Sequence, residues 1–118
     1  MLLIDDHEDA RTALELVLEA AGFSVVGAAD AEIGLAQLRR GLQPGLVLLD
    51  LGLPGMSASS FNQAMRAEAR LASTPVVVLS GDGWVREKAE LLGATDWLEK
   101  PVEIERLLEV VARHCGKG

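Results

Sequence analysis

The sequence is poor in cysteine, in basic residues and in long apolar runs, and each shortage excludes a class of protein. Its 118 residues contain a single cysteine, Cys115, which rules out an internal disulfide framework and suits a reducing cytoplasm. Lysine and arginine number 11 against 18 aspartates and glutamates, and the resulting net charge of −7 argues against a nucleic-acid surface. No apolar run reaches the roughly 18 residues that a membrane-spanning helix needs. The acidic residues Asp5 and Asp6 also interrupt the N-terminal region where a secretory signal peptide would have its apolar segment. We therefore expect one cytoplasmic domain over residues 1–118, with no output domain after it.

Short apolar runs alternate with longer segments that have helical spacing. Four of the runs consist almost entirely of Val, Leu and Ile, as is typical of strands buried on both faces of a parallel sheet. Between them, Gly22 stands where a helix would end and Asp30 where the next would begin. Alternation with short connections predicts a three-layer α/β fold with helices on both faces of the sheet. The predicted strands are residues 2–4, 24–26, 46–49, 76–79 and 97–98. The predicted buried positions of the last helix are Ile104, Leu107, Leu108, Val111 and Cys115.

Polar residues end four of the five apolar runs. The first run ends in Asp5 and Asp6, the third in Asp50 and the fourth in Ser80, while Lys100 follows the fifth. In an open α/β sheet, ligands bind beyond the carboxyl ends of the strands, so these groups should meet at one edge. Each residue alone also fits a helix cap, a turn or a solvated surface, and only the set favours a site.

The predicted cluster has more negative than positive charge, and this imbalance indicates a metal. Three carboxylates repel one another, and one lysine offsets only part of their charge. Mg²⁺ would balance the rest, because it binds one or two carboxylates and keeps positions open for a phosphoryl oxygen. A carboxylate in such a pocket can itself be the nucleophile and form an acyl phosphate. Placement alone does not say which carboxylate is attacked.

The sequence resembles the receiver domain of bacterial two-component response regulators over essentially its whole length. The order and spacing of the matching blocks agree with that family. The blocks are residues 3–9 (LIDDHED), 48–56 (LLDLGLPGM), 77–81 (VVLSG), 93–94 (GA) and 98–101 (LEKP). The resemblance implies a flavodoxin-like, doubly wound sheet of five parallel strands in the order 2-1-3-4-5.

The resemblance also implies a role for each residue of the cluster. Asp50 matches the phosphorylated aspartate, Asp6 the direct metal ligand and Asp5 its neighbour, which usually reaches Mg²⁺ through water. Gly52 should offer its backbone carbonyl to the same ion. Lys100 matches the lysine that pairs with the phosphoryl group.

Further matches concern the conformational switch of the family. Ser80 matches the hydroxyl residue that closes onto the phosphoryl group, and Trp97 stands where the family has an inward-turning Tyr or Phe. The Lys100–Pro101 bond should be cis, which is uncommon enough to be a deliberate feature. The sequence departs from the family after Met56, where Ser57 begins a stretch that usually reads Asp-Gly. It also departs at Gly52, which gives no side chain near the acceptor.

The resemblance implies a phosphorylation-controlled switch that receives phosphate from a histidine kinase or a histidine phosphotransfer protein. The segment 7–11 resembles receivers fused to hybrid kinases, although a single-domain regulator fits equally. One alternative is a receiver-like interaction module that is never phosphorylated. Another is a phosphohydrolase, which would need an acid where Gly52 stands. We expect no direct binding of nucleic acid or membrane. The downstream protein partner is not named by the sequence, and nothing in it decides whether the chain forms the homodimers common in this family.

Overall fold

Strands and helices alternate along the chain, as the sequence predicts. The computed structural model describes residues 1–53 and 55–115, so that Pro54 of the predicted 48–56 block and the C-terminal residues 116–118 lie outside the described residues. Within the described ranges the elements are β1 (Leu2–Ile4), α1 (Glu8–Ala20), β2 (Val26–Ala28), α2 (Ala31–Arg39), β3 (Val47–Asp50), α3 (Ala58–Arg66), a 3₁₀ turn (Ala69–Leu71), β4 (Val76–Ser80), α4 (Val85–Leu92), β5 (Asp96–Glu99) and α5 (Ile104–His114).

The strands form one parallel sheet in the order β2-β1-β3-β4-β5. Every adjacent pair is parallel, and β3 pairs with β4 from Val47–Val76 to Asp50–Leu79. The fold class and strand order are therefore confirmed. Because all strands point the same way, their carboxyl ends share one edge, which is where the polar residues follow the apolar runs.

The sheet is covered on both faces, and alternate residues of each strand enter opposite cores. On one face, Ile4 and Leu49 pack with residues of α2, α3 and α4 such as Phe61. On the other face, Leu3 and Leu48 pack with residues of α1 and α5. This double burial explains why the strands lack the polar alternation of a half-exposed sheet.

The predicted second strand at 24–26 was misplaced by two residues. In the structure β2 is Val26–Ala28, and its Val26, Gly27 and Ala28 pair with Leu2, Leu3 and Ile4 of β1. Gly27 belongs to the strand although glycine disfavours strands, and a Cβ there would lie 1.9 Å from the Glu15 carboxylate. The pairing with β1 thus places the strand at residues 26–28 rather than 24–26.

The helix boundaries largely follow the predicted signals. Gly22 has a φ of 100° just after α1, and the Asp30 carboxylate accepts a hydrogen bond of 2.7 Å from the Ile33 amide at the start of α2. Ile104 was wrongly predicted to be buried: it is 55% exposed, because the buried face of α5 is formed by Leu107, Val110 and Val111. None of the helices in the described ranges is long and apolar enough to cross a membrane.

Arg66 ties the end of α3 to the segment that leads into β4. One guanidinium nitrogen, Nη1, donates to the carbonyl oxygens of Leu71, Ala72 and Thr74 at 3.2, 3.0 and 2.6 Å. We expect Arg66→Ala to lower the free energy of unfolding by about 2 kcal/mol, because charged donors would be lost to three carbonyls. Urea unfolding measures this change. The matched control is Arg40→Ala, which removes an exposed arginine after α2 and should change stability by less than about 0.5 kcal/mol. An equal loss in both variants would contradict the assignment.

Candidate functional site

The carboxyl edge of the sheet brings together the acidic residues predicted from the strand ends. Asp5 and Asp6 follow β1, and Asp50 is the last residue of β3. One carboxylate oxygen from each lies within 4.8 Å of the others. Lys100 reaches the same cluster from the end of β5, as described next. The charged residues proposed from sequence therefore occupy one pocket.

Asp50 lies at the centre of this pocket and is held on both sides. Its side chain is largely buried, and the residue is 6% exposed. Oδ1 accepts a hydrogen bond of 2.9 Å from the Gly52 amide, and Oδ2 accepts one of 2.9 Å from Lys100 Nζ. The Asp50 carboxylate therefore has a fixed orientation within the pocket.

Asp5 is the most buried acid of the cluster, at 1% exposed, and one of its oxygens lacks a hydrogen-bond partner. Oδ1 accepts from the His7 amide at 2.9 Å, and the Asp5 amide donates to the Ala28 carbonyl at 3.1 Å. Among the described residues Oδ2 accepts no hydrogen bond, and the nearest cation, Lys100 Nζ, is 3.6 Å away. A buried oxygen without a partner is costly unless something binds it, so this donor set fits a hard divalent cation.

Lys100 supplies positive charge to two of the three carboxylates. Burial alone would lower the pKa of its ammonium, but the hydrogen bond and charge of Asp50, joined by the charge of Asp5, outweigh burial and raise that pKa above its ordinary value. The lysine therefore stays charged at neutral pH. Its peptide bond to Pro101 is cis, as predicted.

Gly52 contacts Asp50 through its amide, and Ser80 contacts Lys100 through its carbonyl, which accepts a hydrogen bond of 2.9 Å from the Lys100 amide. Gly52 is exposed, and a Cβ built there would lie 3.6 Å from Asp50 Oδ1, so that without a side chain the position covers this carboxylate little. Ser80 ends β4 and is 6% exposed; its hydroxyl oxygen is 3.5 Å from the Asp82 amide nitrogen. The structure thus places both residues at the pocket, while their roles stay predictions.

Trp97 lies on β5, and β4 separates this strand from β3, which ends in Asp50. It is partly buried and packs against the core under α2, α3 and α4. The guanidinium carbon of Arg86, on α4, lies 6.0 Å from the centre of its ring, at the outer limit of a cation–π contact. The ring is therefore positioned between the sheet and the α4 surface.

Two contacts between charged or titratable side chains were not predicted from the sequence, one near this edge of the sheet and one at the opposite edge. Asp82 accepts a hydrogen bond from the Lys88 ammonium and one of 2.8 Å from the Trp84 amide, and these contacts, that of Lys88 first, lower the pKa of Asp82. His114, for which no partner was predicted, lies with Nε2 2.9 Å from Asp96 Oδ2. Neither pair has the i, i+3 or i, i+4 spacing that makes an ion pair readable within one helix.

Comparison with known proteins identifies the family. The response regulator receiver domain model matches residues 1–112. The chain is 36% identical over 110 residues to the DNA-binding dual master transcriptional regulator RpaA of Synechocystis sp., covering 92% of this chain and 45% of RpaA. It spans about half the length of the first curated relatives that it matches.

Solved structures agree in fold over nearly the whole chain. A response regulator receiver protein from Pseudomonas putida has a TM-score of 0.83 at 36% identity, and the match covers 95% of this chain and 93% of that one. Chemotaxis protein CheY4 of Vibrio cholerae has a TM-score of 0.86 at 29% identity, with 96% and 95% covered. With the family match spanning residues 1–112 and an acidic pocket at the carboxyl edge of a 2-1-3-4-5 sheet, the chain belongs to the response regulator receiver domain family of two-component signalling systems.

Proposed function

We propose that this receiver domain is a phosphorylation-controlled switch in which Asp50 accepts the phosphoryl group. The observation that carries the proposal is the position of the Asp50 carboxylate, held at 2.9 Å by both the Gly52 amide and Lys100 Nζ inside a cluster of acidic oxygens. Asp5 is more deeply buried, and Asp6 is exposed and has no ion pair with a lysine of residues 1–53 or 55–115. Asp50 is therefore the acid best placed to attack a phosphoryl donor.

The donor is a phosphohistidine of a histidine kinase or a histidine phosphotransfer protein. An Asp50 oxygen attacks phosphorus while the bond from phosphorus to the imidazole nitrogen breaks, and the electron pair stays on that nitrogen, which takes up a proton. The product is an acyl phosphate on Asp50. As negative charge collects on the phosphoryl oxygens, the Lys100 ammonium stabilises it.

We assign Mg²⁺ to the pocket formed by Asp5, Asp6 and Asp50, with the Gly52 carbonyl as a further ligand. The support is the partnerless Asp5 Oδ2 and the excess of three carboxylates over one ammonium. When bound, Mg²⁺ neutralises charge shared between these acids and the phosphoryl group. The chain's own part is to present the oxygens in one place and to keep Lys100 on the acceptor.

The switch that follows phosphorylation involves Ser80 and Trp97. The Ser80 hydroxyl would move from the Asp82 amide toward the phosphoryl group, and the Trp97 ring would then turn into the space that it leaves. This movement changes the surface formed by α4, β5 and α5, which we propose as the surface read by a downstream protein. The physical basis is a local charge change that biases an element with two arrangements.

The proposal is tested by incubating the protein with acetyl phosphate and Mg²⁺ and measuring its intact mass. We expect a gain of one phosphoryl group that requires the metal, is lost in EDTA, and maps to the peptide containing Asp50. Acetyl phosphate tests the domain without a kinase, because the receiver supplies the groups that catalyse transfer. A purified histidine kinase is the second donor. Absence of a gain from both donors would favour the unphosphorylated interaction module instead.

Tryptophan fluorescence recorded in the same reaction tests the switch. The matched pair of variants is Trp97→Phe and Trp84→Phe, since Trp84 is 63% exposed beside the pocket whereas Trp97 is partly buried. We expect the phosphorylation-dependent change in emission to persist in Trp84→Phe and to vanish in Trp97→Phe. The reverse result would place the movement in the β4–α4 loop.

The alternative is a receiver-like interaction module that is never phosphorylated. It is less favoured because Asp50, Lys100, Ser80 and both leading acids are all present and gathered at one edge. A phosphohydrolase is disfavoured by Gly52, which offers no acid beside the nucleophile. RpaA is named as DNA-binding, but this acidic chain spans only 45% of it, and we propose no direct nucleic-acid contact here. Homodimerisation through the α5 surface stays a proposal that sedimentation can test.

A further inference from the structure

Arg11 contacts the acidic pocket from behind, through the main chain of Asp5. It lies on α1, one turn after the helix begins, and its side chain is 18% exposed. Its Nη1 donates a hydrogen bond of 2.8 Å to the carbonyl oxygen of Asp5. This arginine has no part in the chemistry assigned above to Asp50, Lys100 and Ser80.

The position of Arg11 depends on two neighbours. Its Nε lies 3.9 Å from Glu15 Oε2, one helical turn further along α1. Both side chains lie against β2 at Gly27, where a Cβ would stand 1.9 Å from Glu15 Oε2 and 3.3 Å from Arg11 Cδ. The absence of a side chain at Gly27 therefore makes room for the two long side chains against the sheet.

The contacted carbonyl belongs to the peptide unit that joins Asp5 to Asp6. The Asp5 amide is already fixed by the Ala28 carbonyl at 3.1 Å, and its Oδ1 by the His7 amide at 2.9 Å. The Arg11 hydrogen bond to this carbonyl orients the peptide plane between Asp5 and Asp6. The orientation of that plane in turn determines where the Asp6 side chain begins. The described residues thus provide a hydrogen-bond partner for every polar atom of Asp5 except Oδ2, which is free to bind a ligand.

We propose that Arg11 is a positioning residue for the metal pair Asp5 and Asp6, an inference that rests on the magnesium site of the proposed function. Its contribution is geometric and acts against its own charge. A positive group behind a cation site repels the cation, so that removal of the charge alone would strengthen binding. Removal of a group that orients metal ligands instead weakens binding, commonly by tenfold or more. The sign of the change in affinity separates the two effects.

The experiment is calorimetric titration of the folded protein with MgCl₂, comparing wild type with Arg11→Gln, Arg11→Lys and Arg40→Gln. We expect Arg11→Gln to raise the Mg²⁺ dissociation constant by about tenfold. Arg11→Lys, which keeps the charge and loses the planar fork, should also weaken binding. The exposed Arg40→Gln, which removes the same charge far from the pocket, should leave affinity unchanged. Circular dichroism checks that each variant is folded.

Each outcome bears on a distinct claim. Unchanged or tighter Mg²⁺ binding by folded Arg11→Gln overturns the positioning role, even if its unfolding free energy falls. If Arg11→Gln does not fold, the Arg11→Lys titration decides by the same criterion. Failure of the wild type to bind Mg²⁺ would overturn the proposed metal site itself and this inference with it. A wild type that binds Mg²⁺ but is not phosphorylated would remove only the acceptor function.

Discussion

Asp50→Asn is expected to abolish the phosphoryl mass gain in acetyl phosphate while giving a protein that is harder to unfold. The amide has no anionic oxygen to attack phosphorus, so the loss should be complete at the sensitivity of intact mass measurement. Asparagine keeps the shape of aspartate, and its side-chain oxygen can still accept from the Gly52 amide. Its amide nitrogen then stands where Oδ2 accepted from Lys100, so the lysine loses this acceptor and keeps Asp5 as its neighbouring carboxylate.

The stability change follows from the charges in the pocket. The Asp50 carboxylate is almost fully buried and lies close to those of Asp5 and Asp6, and among the described residues Lys100 is the one cation paired with this cluster. Without metal, removal of one buried charge should relieve repulsion and desolvation by more than the lost ion pair contributes, so the free energy of unfolding should rise by about 1 kcal/mol. Urea unfolding in EDTA measures this.

The matched control is Asp9→Asn, an exposed aspartate in the first turn of α1 outside the cluster. It should retain the full mass gain and change stability little. A phosphoryl gain that persists in Asp50→Asn would place the acceptor on another residue. A lower stability in EDTA would mean that the Lys100 ion pair outweighs the repulsion among the acids.

The sequence predicted the fold well because burial leaves a strong pattern. Unbroken runs of Val, Leu and Ile distinguish strands that are buried on both faces. Both ends of β1, β3 and β4 lie within one residue of the predicted bounds. The strand order came from the resemblance to receiver domains and is confirmed. β2 was misplaced because its bounds are set by the pairing of Val26–Ala28 with β1, a long-range contact that no local pattern records.

Contacts of the candidate site could be predicted from the sequence where strand direction decides them, but not where a long-range contact does. Asp5, Asp6 and Asp50 could be predicted to gather because strand direction alone brings their positions to one edge. The contact of Arg11 with the Asp5 carbonyl could not, because it joins a helix to the end of a strand and every residue type offers the same main-chain carbonyl. Local caps such as that of Asp30 on the Ile33 amide can be predicted from sequence, whereas a side chain that binds a backbone group outside its own helix or turn needs the structure.

Lys100→Gln is expected to slow phosphorylation by acetyl phosphate by about 100-fold at saturating Mg²⁺. The ammonium is 2.9 Å from Asp50 Oδ2 and 3.6 Å from Asp5 Oδ2. From this position it can stabilise negative charge first on the carboxylate and then on the incoming phosphoryl oxygens. Glutamine is nearly as long and can donate one hydrogen bond, but it brings no charge. Initial rates of mass gain measure the effect.

The metal should respond in the opposite direction. Lys100 competes with a cation for Asp50 and Asp5, so its neutral replacement should bind Mg²⁺ at least as tightly as the wild type does. A defect in phosphorylation with undiminished metal affinity would separate the role of the lysine from that of the metal ligands. Weaker Mg²⁺ binding in folded Lys100→Gln would instead show that the lysine maintains the geometry of the pocket.

The pH dependence gives a further check on Lys100. Its pKa is raised above the ordinary value of 10.5, so the ammonium is charged in folded and unfolded chains alike below that value. Its stabilising contribution should therefore be constant through neutral pH and be lost only as the pH rises through the folded pKa. The difference in unfolding free energy between wild type and Lys100→Gln should accordingly be flat between about pH 7 and pH 9.

Lys88→Gln is the matched control, since Lys88 is exposed and its ion pair is with Asp82 rather than with the cluster. It should keep a phosphorylation rate within about threefold of the wild type, far from the loss expected at Lys100. Equal rates in wild type and Lys100→Gln would remove the lysine from the transfer step. The pocket would then depend on the metal alone for charge stabilisation, and the raised pKa of Lys100 would reflect an ion pair that serves the fold.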